Sequence, residues 1–404
     1  MIRLAWASSL LVCAVVIAQP RTTFRLENGI MFTRIAREGL YPAPNFDEEW
    51  HESYQHELRV FVKGAHESRA GYRVEPRFRF THQTDSAEQF DWVLDQAYGY
   101  VNPSSRVTFL MGKQRARWGT GMTYTPTDNL QSAANPLDPT RYLEGVYLAR
   151  VDATLPWCSV SAFYSPDRGE DSLLLDPRHY SRRMAGLRLF KLVGTVDLYA
   201  SVMQSLDSET NIGGAFSWDS GPLVVYGEAA YYIPETQTLR HYLAYSHFMN
   251  GQPRAVLGAS KLLGNSSFYT EVYYTGWGLN RSEYSEYLLR FRRGADAIHN
   301  QAFDPLAIID YASFLVLSRP AQSLHQWYIS ASGVYNWRDL WTLGGNVVLE
   351  PVDQTLYAYP LISYIGYQNV DIAAGFSVAA GSPSSELPVL PAYQAGDVRF
   401  VIHF

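Results

Sequence analysis

Apolar and polar residues alternate over the last eight positions of the chain, Asp397 to Phe404. One face is entirely apolar and carries Val398, Phe400, Ile402 and Phe404. The other face is mostly polar and carries Asp397, Arg399, Val401 and His403. A two-residue period is typical of a half-buried β-strand. Such a strand ends many soluble sheets, but it is also what closes a membrane β-barrel, in which lipid-facing and lumen-facing residues alternate.

The stretch from Tyr72 to Thr81 favours the barrel. Its apolar face carries Tyr72, Val74, Phe78 and Phe80, and its other face carries Arg73, Glu75, Arg77 and Arg79. Four charged side chains on one face are too costly for a soluble core but normal in a water-filled lumen. The next stretch repeats the alternation with an imperfect phase, because Gln96 interrupts its apolar face.

Later segments show the same alternation of apolar and polar residues, and two of them carry a single acid, Glu228 and Glu271. Turn signals rich in Asn, Pro and Ser separate the segments. The candidate strands number about 18 to 20, and a single-chain bacterial barrel has an even number of strands. We therefore predict an all-β fold, a transmembrane antiparallel up-and-down β-barrel of about 18 strands, with 16–20 as the range.

One region does not fit a regular order of short and long connections. The order holds until Gly276 and then slips, so either residues 282–293 form a helix or a strand is missed between 294 and 310. Asn280 and Glu283 have the spacing of a capping box, which would begin such a helix. The two alternatives stay open at the level of the sequence.

The first residues predict export. A short basic segment, Met1–Arg3, precedes an apolar run that ends near Ile17, as in a secretory signal peptide. We predict a signal peptide at 1–18, a periplasmic lead-in or first strand at 19–55, and a single barrel at 56–404 with a long loop at 118–143. No later apolar run approaches the length of a membrane helix.

Composition narrows the class further. Removal of the signal peptide would take Cys13 with it and leave Cys158 alone, so no intrachain disulfide is expected. The net charge of −6 at pH 7 is mild and predicts no nucleic-acid partner. The chain has 29 Tyr, 19 Phe and 10 Trp, which suits a barrel with aromatic girdles at both membrane interfaces.

The most distinctive segment runs from Arg106 to Asp152. Lys113, Arg115 and Arg117 alternate there, which predicts that all three leave the same face of one strand. The connection that follows, 118–143, is long and rich in Gly, Pro, Asn and Asp, and long loops in compact folds are usually functional. In a barrel such a loop can fold inward and narrow the pore, where charged side chains set ion selectivity.

This segment also resembles a known family. It reads Gly112-Lys113-Gln114-Arg115-Ala116-Arg117-Trp118-Gly119-Thr120-Gly121, then Asn135-Pro136-Leu137-Asp138-Pro139, then Glu144-Gly145-Val146. The arrangement resembles outer-membrane porin-like barrels related to the alginate-export proteins and a neighbouring family of uncharacterised bacterial barrels. The terminal aromatic residue resembles the carboxy-terminal signal of bacterial outer-membrane barrels, which implies that Phe400, Ile402 and Phe404 serve membrane assembly. The resemblance implies a monomeric barrel that passes or exports a solute, through an arginine-lined channel in the alginate exporters.

The pattern assigns ten residues to the lining and selectivity of the pore. They are Arg73, Arg77, Arg79, Lys113, Arg115, Arg117, Asp128, Asp138, Arg150 and Asp152. Asp128 and Asp138 are expected to oppose the basic strand from the folded-in loop. Because bases and acids are interleaved on the predicted lumen face, two interpretations stay open, a salt-bridge network that stiffens the wall and a selective ion path.

The sequence predicts no catalytic residues, no cofactor and no metal site. His51, His56 and His66 are too irregularly spaced to indicate a metal centre. Neither a nucleophile-elbow motif nor a Ser–His–acid grouping stands out. A barrel-embedded hydrolase is nevertheless one alternative, because a catalytic dyad can be formed by residues on different strands. A non-conducting structural or recognition barrel is another.

The favoured hypothesis is an outer-membrane porin or exporter of a Gram-negative-type bacterium. It would pass small, possibly anionic, solutes through a charged lumen narrowed by loop 118–143, without chemistry. The expected partners are outer-membrane lipid and lipopolysaccharide, the barrel-assembly machinery, and a small-molecule or polymer solute.

Overall fold

The computed structural model describes most of the chain as strands and short turns. The described residues are 19–34, 50–66, 69–83, 86–128, 130, 145–166, 183–205, 209–234, 251–276, 278–286, 289, 293, 325–367, 369–381 and 394–403. They contain 18 strands in one antiparallel sheet, and β1 pairs with both β2 and β18. The sheet is therefore a closed barrel, which confirms the predicted fold class and strand number.

The strands follow one another around the barrel in chain order. The first nine are β1 (Gln19–Arg34), β2 (Trp50–His66), β3 (Ala70–Gln83), β4 (Ser86–Ser104), β5 (Val107–Gln114), β6 (Val146–Thr154), β7 (Ser159–Ser165), β8 (Met184–Val193) and β9 (Val196–Ser205). The second nine are β10 (Glu209–Asp219), β11 (Val224–Pro234), β12 (Gln252–Leu263), β13 (Ser266–Thr275), β14 (Trp327–Trp337), β15 (Trp341–Glu350), β16 (Thr355–Tyr367), β17 (Val370–Ala380) and β18 (Gln394–His403).

The connections differ between the two ends of the barrel. Two-residue turns at 105–106, 194–195 and 264–265 lie at one end, which we call the turn end. The long connections 115–145, 235–251 and 276–326 lie at the other end, which we call the loop end. Up-and-down strands require this separation, because consecutive connections fall at opposite ends.

The irregular region after Gly276 contains a helix. Residues 281–286, 289 and 293 are helical. The side-chain Oδ1 of Asn280 accepts the backbone N–H groups of Ser282 and Glu283 at 3.0 Å each, and the Glu283 carboxylate accepts the N–H of Asn280 at 2.8 Å. This is the predicted capping box, so the helical alternative is correct where the structure describes the segment. Within the described part of the chain, no helix is long and apolar enough to cross a membrane.

The two faces of the barrel wall differ in polarity. Large apolar side chains point outward and are highly exposed, among them Phe90, Trp92, Trp157, Leu257 and Leu262. The inward face carries the charged residues of β1–β4, as the alternation in Tyr72–Thr81 predicts. In the final strand Phe400 is 42% exposed on the outer face, whereas its neighbour Val401 is buried inside. The final strand thus keeps the two-residue period that its sequence shows.

The imperfect phase at Gln96 comes from a β-bulge between β3 and β4. Glu75 pairs with Gln96 and Pro76 pairs with Leu94, so Asp95 has no opposite residue. A bulge inserts one extra residue and changes which side chains face inward. Here Asp95 and Gln96 are consecutive, yet both are buried and bonded to lumen-facing side chains.

Several predictions fall outside the described residues. They concern the signal peptide at 1–18, most of the loop from 131 to 144 with Asp138, and the terminal Phe404. Residues 19–34, for which a lead-in and a strand were both considered, form β1.

Candidate pore constriction

A network of ion pairs covers the inner wall formed by β2, β3 and β4. The Glu57 carboxylate binds three arginines: Arg59, Arg77 with its Nη1 at 3.3 Å, and Arg79 with its Nε at 3.2 Å. Arg77 also donates from Nη2 to Oδ1 of Asp95 at 3.0 Å. One acid therefore joins two strands, and one arginine extends the link to a third.

The second half of this network includes the segment that leaves β5. The Glu75 carboxylate pairs with Arg73 and accepts a hydrogen bond from Nε2 of Gln96 at 2.7 Å. Arg115 lies 3.5 Å from Glu75 and 3.8 Å from Asp95, measured between the guanidinium nitrogens and the carboxylate oxygens. We call these eight charged residues the arginine wall: Arg59, Arg73, Arg77, Arg79, Arg115, Glu57, Glu75 and Asp95.

The arginine wall presents its cations and hides its anions. The side chains of Glu57, Glu75 and Asp95 are at most 3% exposed. Those of Arg73 and Arg79 are 44% and 36% exposed. Since five arginines share three carboxylates, the wall has two positive charges in excess, and its solvated surface is formed by guanidinium groups. Both interpretations left open by the sequence are thus compatible with one structure, because paired arginines can still attract an anion.

The connection after β5 crosses into the lumen. Ala116, Trp118 and Leu130 are buried against the inner faces of β6–β9, where they contact a cluster of Leu148, Phe163, Met184 and Met203. The ring of Trp118 meets that of Phe163 edge-on at a centroid distance of 4.7 Å. Burial of these apolar groups favours the inward position of the connection. We call residues 118–128 the inner loop.

Two wall carboxylates hold the inner loop by its backbone. Glu228 on β11 accepts the N–H groups of Thr120 at 2.6 Å and Gly121 at 3.2 Å. Its other oxygen accepts the N–H and the hydroxyl of Thr127, the latter at 2.7 Å. Glu228 is 3% exposed, so a buried anion is neutralised by backbone dipoles and hydroxyls.

Glu271 lies on β13, two strands further around the barrel, and also binds backbone N–H groups of the inner loop. It accepts the N–H groups of Met122, of Thr123 at 2.8 Å and of Tyr124 at 3.4 Å, and the hydroxyl of Tyr226 at 3.0 Å. The Tyr124 ring then stacks on Tyr273, with centroids 4.2 Å apart and an interplanar angle of 1°. The inner loop therefore lies against the wall from β6 to β14, opposite the arginine wall.

The two glycines of the Trp-Gly-Thr-Gly motif allow this close approach. A Cβ on Gly119 would lie 2.6 Å from Cβ of Thr125 and 2.7 Å from Oε2 of Glu228. A Cβ on Gly121 would overlap the carbonyl oxygen of Tyr124. A side chain at Gly119 would push the loop backbone away from Glu228, and one at Gly121 would force the loop to shift locally at Tyr124.

Three sequence-predicted residues have other surroundings than expected. Lys113 is 8% exposed, pairs in register with Tyr147 and Ala97, and its Nζ lies 5.6 Å from the Tyr147 ring centroid. Arg115 joins the arginine wall and Arg117 binds the inner loop, so the three side chains do not share one set of surroundings. The strand ends at Gln114, so the two-residue period does not continue to the later positions.

Arg117 and Asp128 stabilise the inner loop itself. The Arg117 guanidinium donates to the carbonyl oxygens of Gly121 and Met122, the latter at 3.0 Å. The Asp128 carboxylate accepts the N–H groups of Trp118 at 3.0 Å and Leu130 at 2.9 Å. Asp128 thus caps the loop rather than facing the basic strand as an opposing charge.

The remaining predicted pair lies on β6. Nε of Arg150 lies 2.8 Å from Oδ1 of Asp152, which also accepts the hydroxyl of Ser161 at 2.5 Å. Arg188 on β8 is the next inward cation, and its guanidinium lies 4.1 Å from the Tyr199 ring centroid. These residues extend the charged lining beyond the arginine wall.

Sequence reasoning noted Glu228 and Glu271 but did not assign them a role. Each is a lone acid on the inner face of its strand, far from any basic neighbour in sequence. Their partners are backbone N–H groups more than 100 residues away. The signal available in the sequence was a lone acid on the inner face of a strand. Such an acid needs hydrogen-bond donors when it is buried, and the backbone of a Gly-rich loop can supply them.

Taken together, the described residues of the interior form a positive wall and a loop held against the facing wall. No protein-family model matches the sequence, and neither does any curated protein. Solved structures do match.

Acinetobacter baumannii OccAB1 has a TM-score of 0.58 at 8% sequence identity, covering 95% of this chain and 96% of that chain. A BenF-like porin from Pseudomonas fluorescens Pf-5 has a TM-score of 0.55 at 8% identity, covering 96% and 98%. The chain has the fold of a porin. Pseudomonas aeruginosa OccK2 (OpdF), solved in complex with glucuronate, is similar to the same extent, with a TM-score of 0.55, 8% identity and 96% coverage of each chain.

The likeness supports the porin-like part of the predicted resemblance. At these identities it concerns the fold alone. The closer relation to alginate exporters, which the motif at Gly112–Gly121 suggested, stays a prediction.

Proposed function

We propose that the protein is an outer-membrane porin that passes small anionic solutes between the arginine wall and the inner loop. One observation carries this proposal: Arg73 and Arg79 of the arginine wall are 44% and 36% exposed, while the carboxylates of the wall are buried. An anion in the passage meets two uncompensated positive charges. Its path is narrowed by a loop that the opposite wall holds in place.

The membrane location rests on the outer face of the barrel. Trp92 is 66% exposed, and Leu257 and Leu262 are 58% and 80% exposed. Large apolar side chains exposed in this way on a barrel wall are unfavourable in water and suit the hydrocarbon layer of a bilayer. The fold of the porin structures supports the same location, as does the apolar face of β18.

Carboxylates are the favoured class of solute. A guanidinium presents a planar fork of N–H donors that matches a carboxylate in a bidentate manner. The OccK2 structure contains glucuronate, a sugar carboxylate, which supports this class for the present protein. An anionic polysaccharide, as the alginate-like motif suggested, offers the same group in repeated form, but a passage narrowed by the inner loop favours the small solute. The mechanism is filtering by size and charge and needs no catalytic group.

Single-channel recording in a planar bilayer under a salt gradient tests the proposal. The wild-type protein is expected to conduct steadily and to prefer anions. The double variant Arg73→Gln and Arg79→Gln removes the two excess charges, so the anion preference should largely disappear. Both carboxylates keep other partners in this variant, because Glu57 retains Arg59 and Arg77, and Glu75 retains Arg115.

Lys191→Gln is the matched control, since it removes an exposed cation near the turn end of β8, away from the arginine wall, and should leave selectivity unchanged. A correctly folded protein that does not conduct would contradict the porin and favour the non-conducting structural barrel. Conduction with equal selectivity in the wild type and the double variant would retain the channel and contradict the role of the arginine wall.

A further inference from the structure

Three metal-ligating side chains converge at the loop end of the barrel, away from the arginine wall. Nε2 of His325 lies 3.4 Å from Oδ2 of Asp353 and 3.8 Å from Oε2 of Glu350. The side chains of His325 and Glu350 are fully buried and that of Asp353 is 5% exposed. One ligand atom from each residue lies within 4.8 Å of the others. We propose that this triad binds a divalent metal ion of the zinc type.

The carboxylates are oriented by their surroundings. The two oxygens of Glu350 accept the backbone N–H groups of Val352 at 2.8 Å and Asp353 at 2.7 Å. Oδ1 of Asp353 accepts the N–H and the hydroxyl of Thr355 at 3.0 and 2.6 Å. These bonds fix both side chains and direct Oδ2 of Asp353 toward the imidazole. Metal-ligating carboxylates are positioned by hydrogen bonds of this kind.

Charge balance gives an independent argument. Two carboxylates lie together at a buried site, which is costly unless a cation compensates them. A divalent cation bound by the imidazole and both carboxylates would provide that compensation.

The ligand set selects the kind of metal. Ca²⁺ and Mg²⁺ prefer six or more oxygen ligands, whereas an imidazole nitrogen with two carboxylates suits Zn²⁺. Three protein ligands leave one tetrahedral position, which a water molecule would fill. The sequence predicts no metal site because His325 lies in the connection 276–326, whereas Glu350 ends β15 and Asp353 lies in the turn 351–354.

Such an ion would join two loop-end connections. The Tyr284 ring, on the helix of the first connection, meets the His325 ring at 4.3 Å, and Leu279 forms a β-bridge with His325. Asp353 belongs to the turn between β15 and β16. We therefore expect the bound metal to stabilise the loop end without contributing to conduction.

The test uses the full chain, refolded in detergent after treatment with EDTA and then dialysed against equimolar Zn²⁺. Metal content is measured by mass spectrometry and stability by the thermal unfolding midpoint. The wild type should retain one zinc ion per chain, and its midpoint should rise when zinc is added. His325→Gln and Glu350→Gln should bind zinc at least about tenfold more weakly, because each removes one of three ligands.

His82→Gln is the control, since His82 forms an exposed pair with Glu88 at 3.6 Å and should leave zinc binding unchanged. Failure of the wild type to retain zinc or to change its unfolding midpoint would overturn the proposal. So would equal zinc retention in His325→Gln and His82→Gln, which would indicate an adventitious ion. If either ligand variant does not refold, the wild-type comparison with and without zinc still decides.

Discussion

The arginine wall and the loop-covered wall bury the same chemical group in different ways. On the arginine wall, Glu57 is neutralised by guanidinium groups from its own and the neighbouring strand. On the opposite wall, Glu228 and Glu271 are neutralised by backbone N–H groups of the inner loop. Both arrangements satisfy a buried anion. They have opposite consequences for the lumen.

The nature of the partner decides what the passage presents. An arginine brings a full positive charge, so sharing one acid among several arginines leaves a positive, solvated surface. A backbone N–H brings only a dipole, so Glu228 and Glu271 produce no exposed cation and instead fix the position of the loop. One wall therefore sets the charge of the passage, and the other sets its width.

The largest effect is expected when the loop is released from its wall. In the double variant Glu228→Ala and Glu271→Ala, the N–H groups of the loop lose their acceptors, and each unsatisfied group costs about 1–3 kcal/mol. The inner loop should leave the wall and become mobile. Single-channel conductance should then change by at least about twofold, with frequent substates, because the cross-section is no longer fixed.

Asp152→Asn is a suitable control for that variant. It neutralises another inward carboxylate, one held by Arg150 and Ser161 rather than by the loop. Steady wild-type conductance in the double variant would mean that the carboxylates do not fix the width of the passage.

A smaller effect on conductance, but a marked one on stability, is expected for Glu57→Gln. This change leaves Arg59, Arg77 and Arg79 without their shared carboxylate, and loss of one partner of a buried ion pair costs about 3–5 kcal/mol. Urea unfolding of the refolded barrel should show this loss. Anion preference should persist, because the wall becomes more positive.

The comparison variant is Glu88→Gln. The Glu88 side chain is 65% exposed, so its replacement should change the free energy of unfolding little. Equal stability of the two variants would show that the arginine wall gains nothing from its buried acid.

The smallest effect is expected for Gly121→Ala. Its new Cβ would overlap the carbonyl oxygen of Tyr124, so the loop should shift locally while most of its bonds to Glu228 and Glu271 remain. A modest change in conductance is expected in bilayer recordings. Gly29→Ala should change nothing, because its Cβ would have its nearest neighbours at 3.8 Å, an ordinary contact. Identical traces for both alanine variants would contradict a requirement for glycine in the loop.

Much of the barrel could be predicted from the sequence, because one face of each strand contacts an apolar medium. The alternation at Tyr72–Thr81 and in the final strand reports that constraint directly. Even the phase break at Gln96 was visible, although its cause was not. A bulge depends on the pairing between two strands. The extra residue, Asp95, can be recognised only when the pairing of its neighbours with Glu75 and Pro76 is known.

The site was less accessible to sequence reasoning. The two-residue period assigns faces only within a strand, so it gives no guidance for Arg115 and Arg117, which follow the end of β5. The role of Asp128 depends on the local fold of the loop, which composition does not determine. Glu228 and Glu271 bind backbone groups, which every sequence possesses, so no partner residue could identify them in advance.

The pairing of β1 with β18 has a consequence for how the ring forms. It places Arg25 opposite His403, two residues separated by nearly the whole chain. Contacts so distant along the chain carry the highest entropic cost of closure and form late. Until they form, the arc of strands has two unsatisfied edges, each a template for pairing with another chain. We therefore expect incompletely closed barrels to aggregate unless both edges are shielded. Weaker pairing between β1 and β18 should reduce the yield of assembled protein before it alters the finished pore.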